Sequence, residues 1–239
     1  MACSCSMRRP VATAEIKTKP RQAATDLSTL RFTVEPAPEW SALFIRSSGW
    51  FGADGIFAIP RNGQETAQTD QESETTFLFS DTLIGQVIGD SLPQGFTMVN
   101  NSVAILKGVK PREENIRFHW DVKPGGTPTS VFIPTTPDSK PGEYFWLGDG
   151  FVNQALGNAT YLFAYRMRNI ESKGPFKFEE AGNVLIRIPA GSKPPYRNQQ
   201  QMDTPFFITG EDPNRKGSLG AGILVNTKSA GAARPDGYV

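Results

Sequence analysis

The sequence predicts an all-β fold of the β-propeller type, and three observations predict it. The chain has 23 glycines and 19 prolines among 239 residues, which implies many turns and few long helices. Short runs rich in aromatic and β-branched residues recur between those turn signals, as strands do. A looser theme also repeats, in which a Gly-Asp-Gly or Gly-Ala-Asp-Gly turn is followed by a short aromatic strand and a second strand pair. Propeller blades of about 40 to 50 residues fit that spacing, so residues 40–239 would supply about four.

Taken in chain order, residues 1–36 mix Ser, Thr, Ala, Lys, Arg and Pro without periodicity. They read as a disordered N-terminal tether, because they carry too little apolar surface to order themselves. The propeller-type domain spans 37–239, with folded structure expected from about Trp40. Strands are expected at 41–46, 55–60, 75–80, 95–106, 116–120, 131–134, 144–148, 160–168, 183–189, 205–209 and 221–226, with no long helix. The run 160–169 is strand-like through its aromatic content, although its tail also fits helical spacing. Residues 108–114, 134–142 and 192–201 are polar, proline-containing connections, which on a β scaffold lie at the surface and can line a cleft. The last residues, 236–239, read as the start of a strand, so the domain is expected to be truncated there.

Charge and cysteine usage narrow the function classes. Lys and Arg number 25 against 24 Asp and Glu, a net charge of +1, so no basic field exists to bind nucleic acid or anionic membranes. Cys3 and Cys5 lie too close together to cross-link distant core segments or to build a four-ligand zinc site. The stretch Met1-Ala2-Cys3-Ser4-Cys5-Ser6 is similar to a bacterial lipoprotein cleavage region without its apolar leader; the alternative is a pair of incidental thiols. The expected location is extracytoplasmic, secreted or lipid-anchored, with membrane contact only through that anchor. His119 is the sole histidine, which excludes multi-histidine metal sites and disfavours a Ser-His-Asp triad in a chain without a Gly-x-Ser-x-Gly elbow. No metal or cofactor is expected.

Two segments carry candidate chemistry. In Gly49-Trp-Phe-Gly-Ala-Asp54-Gly-Ile-Phe-Ala-Ile-Pro60 and in Thr76-Phe-Leu-Phe-Ser-Asp81-Thr82, an aspartate stands beside hydrophobic strand residues at a tight turn. If strands of a propeller bring them to one funnel, Asp54 and Asp81 form the carboxylate pair that glycoside hydrolysis requires, one acting as acid and the other as nucleophile or base. An aromatic wall would raise the acid's pKa by desolvation. The structural alternatives are an Asx-type turn for Asp54 and a strand-end cap for Asp81.

Substrate-binding candidates follow from chemistry that suits sugar. Trp50 and Trp146 adjoin the Gly-Asp turns and can offer flat apolar faces to sugar C–H groups, or pack in the core. Asn100, Asn101 and His119 can bind hydroxyls, or satisfy a turn and a half-buried strand. Asp149, in Gly148-Asp149-Gly150, can orient substrate or act as a turn residue. Arg166 and Arg168 read as solvated edge charges without a role.

The order W-F-G-A-D-G, then F-L-F-S-D-T, then V-N-N-S-V-A-I-L resembles five-bladed β-propeller glycoside hydrolases of the endo-D-arabinanase-like type, over about residues 40–226. The resemblance implies a five-bladed fold, incomplete in this chain, and implicates Asp54 and Asp81 in cleaving a glycosidic bond of a polysaccharide or oligosaccharide. A non-catalytic carbohydrate-binding or surface interaction module on the same fold is the alternative.

Overall fold

The computed structural model describes residues 31–65, 70–89, 91, 95–210, 217–226 and 237–238. The chain divides between Pro36 and Ala37, and everything below concerns the second unit. Cys3 and Cys5 lie outside the described residues.

The unit opens with a short helix, α1 (Pro38–Phe44), where the sequence patterning predicts a strand at 41–46. Proline at the first helical turn fixes φ in the helical range, and Glu39 faces the positive end of the dipole. Trp40, Leu43 and Phe44 fall at helical spacing. Leu43 is buried, and Phe44 sets its ring edge-on to Trp50, Phe77, Phe79 and Phe118 at centroid distances of 5.8 to 6.2 Å. Tertiary packing of that aromatic face decides the conformation of seven residues that would be marginal alone.

Seven strands then form β1 (Ser48–Ala53), β2 (Phe57–Pro60), β3 (Glu74–Phe79), β4 (Thr82–Gln86), β5 (Thr97–Val99), β6 (Ser102–Lys107) and β7 (Ile116–His119). Their pairing is β1-β4-β5 and β2-β3-β6-β7, all antiparallel. These are two halves of one four-stranded meander whose strands bend at a common level, at 54–56, 80–81 and 100–101. The ladder crosses the bend: the Asp54 amide donates to Asp81 O at 3.1 Å, and the Ser80 amide donates to Asp54 O at 3.0 Å. A two-residue ribbon, β8 (Asp121–Val122) with β9 (Pro128–Thr129), follows.

A second four-stranded meander runs β10 (Tyr144–Asn153), β11 (Ala159–Asn169), β12 (Phe178–Ile188) and β13 (Gln200–Thr204) in spatial order. Its first strand is interrupted by a bulge at Gly148-Asp149. Gly150 allows that kink because a Cβ there would run into the carbonyl of Tyr161 and the side chain of Ile59. Short pairs complete the chain, β14 (Phe207–Ile208) with β15 (Gly217–Ser218) and β16 (Val225–Asn226) with β17 (Gly237–Tyr238).

The meanders pack with β10 against β2 and β3. Alternation along β3 sends Leu78 into the core between them, with Ile59, Val103, Phe145, Leu147, Leu162, Val184 and Ile186, while Phe77 and Phe79 face the helix side with Trp50, Ala104 and Leu106. Both faces of the first meander are therefore covered, which explains why 77–79 and 103–106 are unbroken apolar runs rather than alternating ones.

The all-β expectation holds. The described residues build two blade-sized meanders where turn spacing predicts about four, and no described sheet closes on itself. The difference is strand length: β11 and β12 each run 11 residues, so one meander uses far more chain than the assumed repeat. Two further expectations shift. Residues 131–134 form no strand, yet Val131 and Phe132 are buried in the core. Strand β13 begins at Gln200, at the end of the 192–201 stretch that reads as a loop, and its polar sequence QQMDT edges the sheet without apolar alternation.

Candidate active site

The bend in the first meander sets up the site. Register is the same on both sides of it: Ala53 pairs Thr82 and Phe57 pairs Leu78, so Asp54 stands opposite Asp81. Thr82 pairs Val99 and Phe79 pairs Ser102, so Asp81 stands opposite Asn100. Three residues separated by 27 and 19 positions are thus brought to neighbouring places at the bend, the Asp54 amide donating to Asp81 O at 3.1 Å and Asn100 Nδ2 to Asp81 Oδ1 at 3.1 Å.

Asp81 is half-buried and its Oδ1 accepts two hydrogen bonds, from Trp146 Nε1 at 2.9 Å and from Asn100 Nδ2 at 3.1 Å. Asn100 is itself anchored, its amide donating to Ser130 Oγ at 3.0 Å. These donors fix the Asp81 carboxylate at the wall of a cleft of about 470 Å³ lined also by Met98, Glu143, Tyr144, Asn169 and Phe178. Trp146 meets Phe178 edge-on at 4.9 Å and Tyr144 at 6.2 Å, and Phe178 meets the exposed Phe176 at 5.6 Å. The cleft therefore pairs an aromatic wall with two carboxylates and two side-chain amides, the combination that suits a ligand with both C–H faces and hydroxyl groups.

Asp54 is exposed beside it. Partial desolvation, then the like charge of Asp81, push the Asp54 carboxyl above the ordinary aspartate range, while the Asp81 amide acts in the opposite direction. The phenol of Tyr144 is likewise raised, first by burial and then by Asp81. Replacing Asp81 with Asn should bring the Asp54 pKa down toward, but not to, its ordinary value, because the desolvation remains. A carboxyl-carbon NMR titration of both proteins measures this, and an unmoved Asp54 would mean that the two carboxylates do not interact.

The remaining sequence candidates separate from this cleft. Trp50 is 4% exposed, stacks on Phe118 at 4.5 Å and donates its Nε1 to Ser102 Oγ at 3.1 Å; its ring is a core residue, because alternation along β1 turns it to the helix side. Asn101 is fully buried: its Nδ2 donates to Phe132 O at 2.9 Å and Phe145 O at 3.0 Å, and its Oδ1 accepts from the Phe132 amide at 2.8 Å. No atom of it remains for a sugar. Asp149 has both oxygens engaged, by the amides of Gly150 at 2.8 Å and Ile223 at 2.9 Å, so it ties the bulge of β10 to 220–223. His119 lies in another groove with Lys107, Arg117 and Lys193, its imidazole pKa lowered by burial. Adjacent positions 100 and 101 point to opposite sides of the sheet, which is why one reaches the cleft and the other the core.

Tyr144 carries the aromatic signal in the sequence, whereas nothing local to Asn169 or Phe178 marks them as cleft residues. Sequence reasoning missed Arg166, which is 6% exposed and sits between two carboxylates rather than at a solvated edge. Arg168 does pair at the surface, with Glu179.

The family model described as "Domain of unknown function (DUF5005)" matches residues 38–206. The chain belongs to this family. The DUF5005 match takes in both meanders and every cleft residue named above. No curated protein matches the chain. A crystal structure of a candidate hydrolase from Bacteroides ovatus is similar over 66% of this chain and 39% of its own, at 19% identity and a TM-score of 0.49. This DUF5005 chain thus spans about two fifths of the length of that protein.

Proposed function

We propose that the cleft binds a polysaccharide and that Asp54 and Asp81 cleave its glycosidic bond, with Asp54 as acid and Asp81 as the charged partner. The observation that carries this reading is the cross-strand placement of Asp54 opposite Asp81, at the edge of an aromatic cleft. Glycoside hydrolysis needs two carboxyl groups in unlike environments, one holding a proton where the other is charged. Here one carboxyl has a raised pKa and no place among the cleft-lining residues, while the other is gripped by two N–H donors inside it. The acid must be protonated to act, so turnover should fall as pH rises through the Asp54 pKa.

The same reading includes the finer fold and setting. A four-stranded antiparallel meander is the unit that a β-propeller repeats, and the five-bladed endo-D-arabinanase-like resemblance supports a furanose-containing substrate. An extracytoplasmic site of action fits a polymeric glycan. The exposure of Asp54 favours one other reading, a module that binds glycan without cutting it. A screen of the purified protein against plant and bacterial polysaccharides, read as released reducing ends, decides between them. Release that is lost in Asp54→Asn supports the hydrolase; retention on an insoluble glycan without release supports the binding module; neither result removes carbohydrate from the proposal.

A further inference from the structure

A buried charge cluster lies immediately behind the cleft. Arg166 on β11 donates NH1 to Asp203 Oδ1 at 2.9 Å and holds Glu143 by charge alone, its Nε lying 3.4 Å from Glu143 Oε2 without a hydrogen bond. Its side chain is 7% exposed and that of Glu143 3%. The same NH1 reaches Thr136 Oγ1 at 3.1 Å, and NH2 reaches Ala181 O at 3.3 Å.

Both carboxylates hold the connection between Ile133 and Tyr144. Asp203 accepts from Thr136 Oγ1 at 2.8 Å and from the Asp138 amide at 3.4 Å, and Glu143 accepts from the Lys140 amide at 2.8 Å. Gly182 keeps room for the guanidinium, since a Cβ there would lie 2.6 Å from NH2. That connection has almost no apolar anchor of its own, yet it ends in Gly142, Glu143 and Tyr144, which line the cleft beside Asp81.

A planar guanidinium with fixed donors can hold two carboxylates in one geometry, whereas apolar packing alone would leave such a polar loop free to shift. A buried ion cluster adds little net stability compared with a neutral core, so its use lies in specifying position. We propose that Arg166 is a positioning residue, bridging Glu143 and Asp203 so that the 136–144 connection holds the wall of the glycan cleft. This rests on the proposed carbohydrate reading of that cleft.

The test compares wild type with Glu143→Gln/Arg166→Met/Asp203→Asn, which removes all three charges together, and with Arg166→Lys, which keeps the charge but loses the fork. Three quantities are read: melting temperature, hydrogen exchange of the 138–143 amides and of the Trp146 indole N–H without sugar, and kcat and KM on soluble arabinan. The neutral triple variant is expected to melt no lower than wild type, yet to exchange about ten-fold faster at these sites; because Glu143 itself lines the cleft, KM is read in Arg166→Lys, where it should rise several-fold with kcat nearly unchanged. That is a fraction of what a full ångström of misplacement brings. In exchange Arg166→Lys should fall between the two, and it carries the test alone if the triple variant does not fold. A folded variant with wild-type exchange, or Arg166→Lys with faster exchange but unchanged KM, overturns the proposal. If wild type turns over no arabinan, the hydrolase reading fails for that glycan, and the Trp146 indole exchange alone decides the role of Arg166.

Discussion

On the proposed hydrolase reading, Asp81→Asn should abolish glycan cleavage and leave the fold in place. Asparagine matches the volume of aspartate and retains a carbonyl oxygen to accept from Trp146 Nε1 and Asn100 Nδ2, now 2.9 and 3.1 Å from Oδ1. What it removes is the negative charge that would attack the anomeric carbon, activate water or stabilise the developing oxocarbenium ion. Losing a group of this kind costs on the order of 10² to 10⁴ in rate. Released reducing ends should therefore drop to background while the melting temperature moves by a few degrees at most. Wild-type turnover in the variant would take Asp81 out of the chemistry and leave it as a hydrogen-bond anchor for Trp146.

Asn101→Ala should be among the most destabilising single changes in the chain. The side chain is 0% exposed and makes three hydrogen bonds to the backbone of Phe132 and Phe145, joining the first meander to the second and to the buried segment at 131–132. Truncation leaves two carbonyls and one amide without partners in a core, each such loss costing about 1 to 3 kcal/mol. With a small cavity added, we expect about 4 kcal/mol, and a melting temperature lower by roughly 10 °C for a domain of this size. Denaturant unfolding measures the first and calorimetry the second. A cost below about 1 kcal/mol would show that water or a rotated neighbour replaces those bonds.

The contrast between Asn100 and Asn101 shows how far the sequence reaches. Both have the chemistry of a hydroxyl binder, and nothing in V-N-N-S distinguishes them. The pleat does: residue 100 faces Trp146 and Asp81, and residue 101 faces the seam between meanders. Trp50 and Trp146 divide in the same way, each beside a Gly-Asp turn, one turned inward to Phe118 and the other to the cleft.

Arg166 shows a second kind of gap. In the strand 159–169 it is a charge between Tyr165 and Met167, and a charge in a strand is ordinarily solvated. Its burial depends on Glu143 and Asp203 arriving from 23 positions before and 37 positions after it. No local pattern encodes that convergence.

The sequence by itself determined the all-β class, most strand positions and the two aspartates worth testing, because alternation, glycine-bearing turns and aromatic runs are local properties of a chain. Only the tertiary structure decided which candidates share a site. Asp54, Asp81 and Asn100 meet because the register of three strands is held constant across a common bend, and register is fixed by how two apolar faces pack against neighbours far away in sequence.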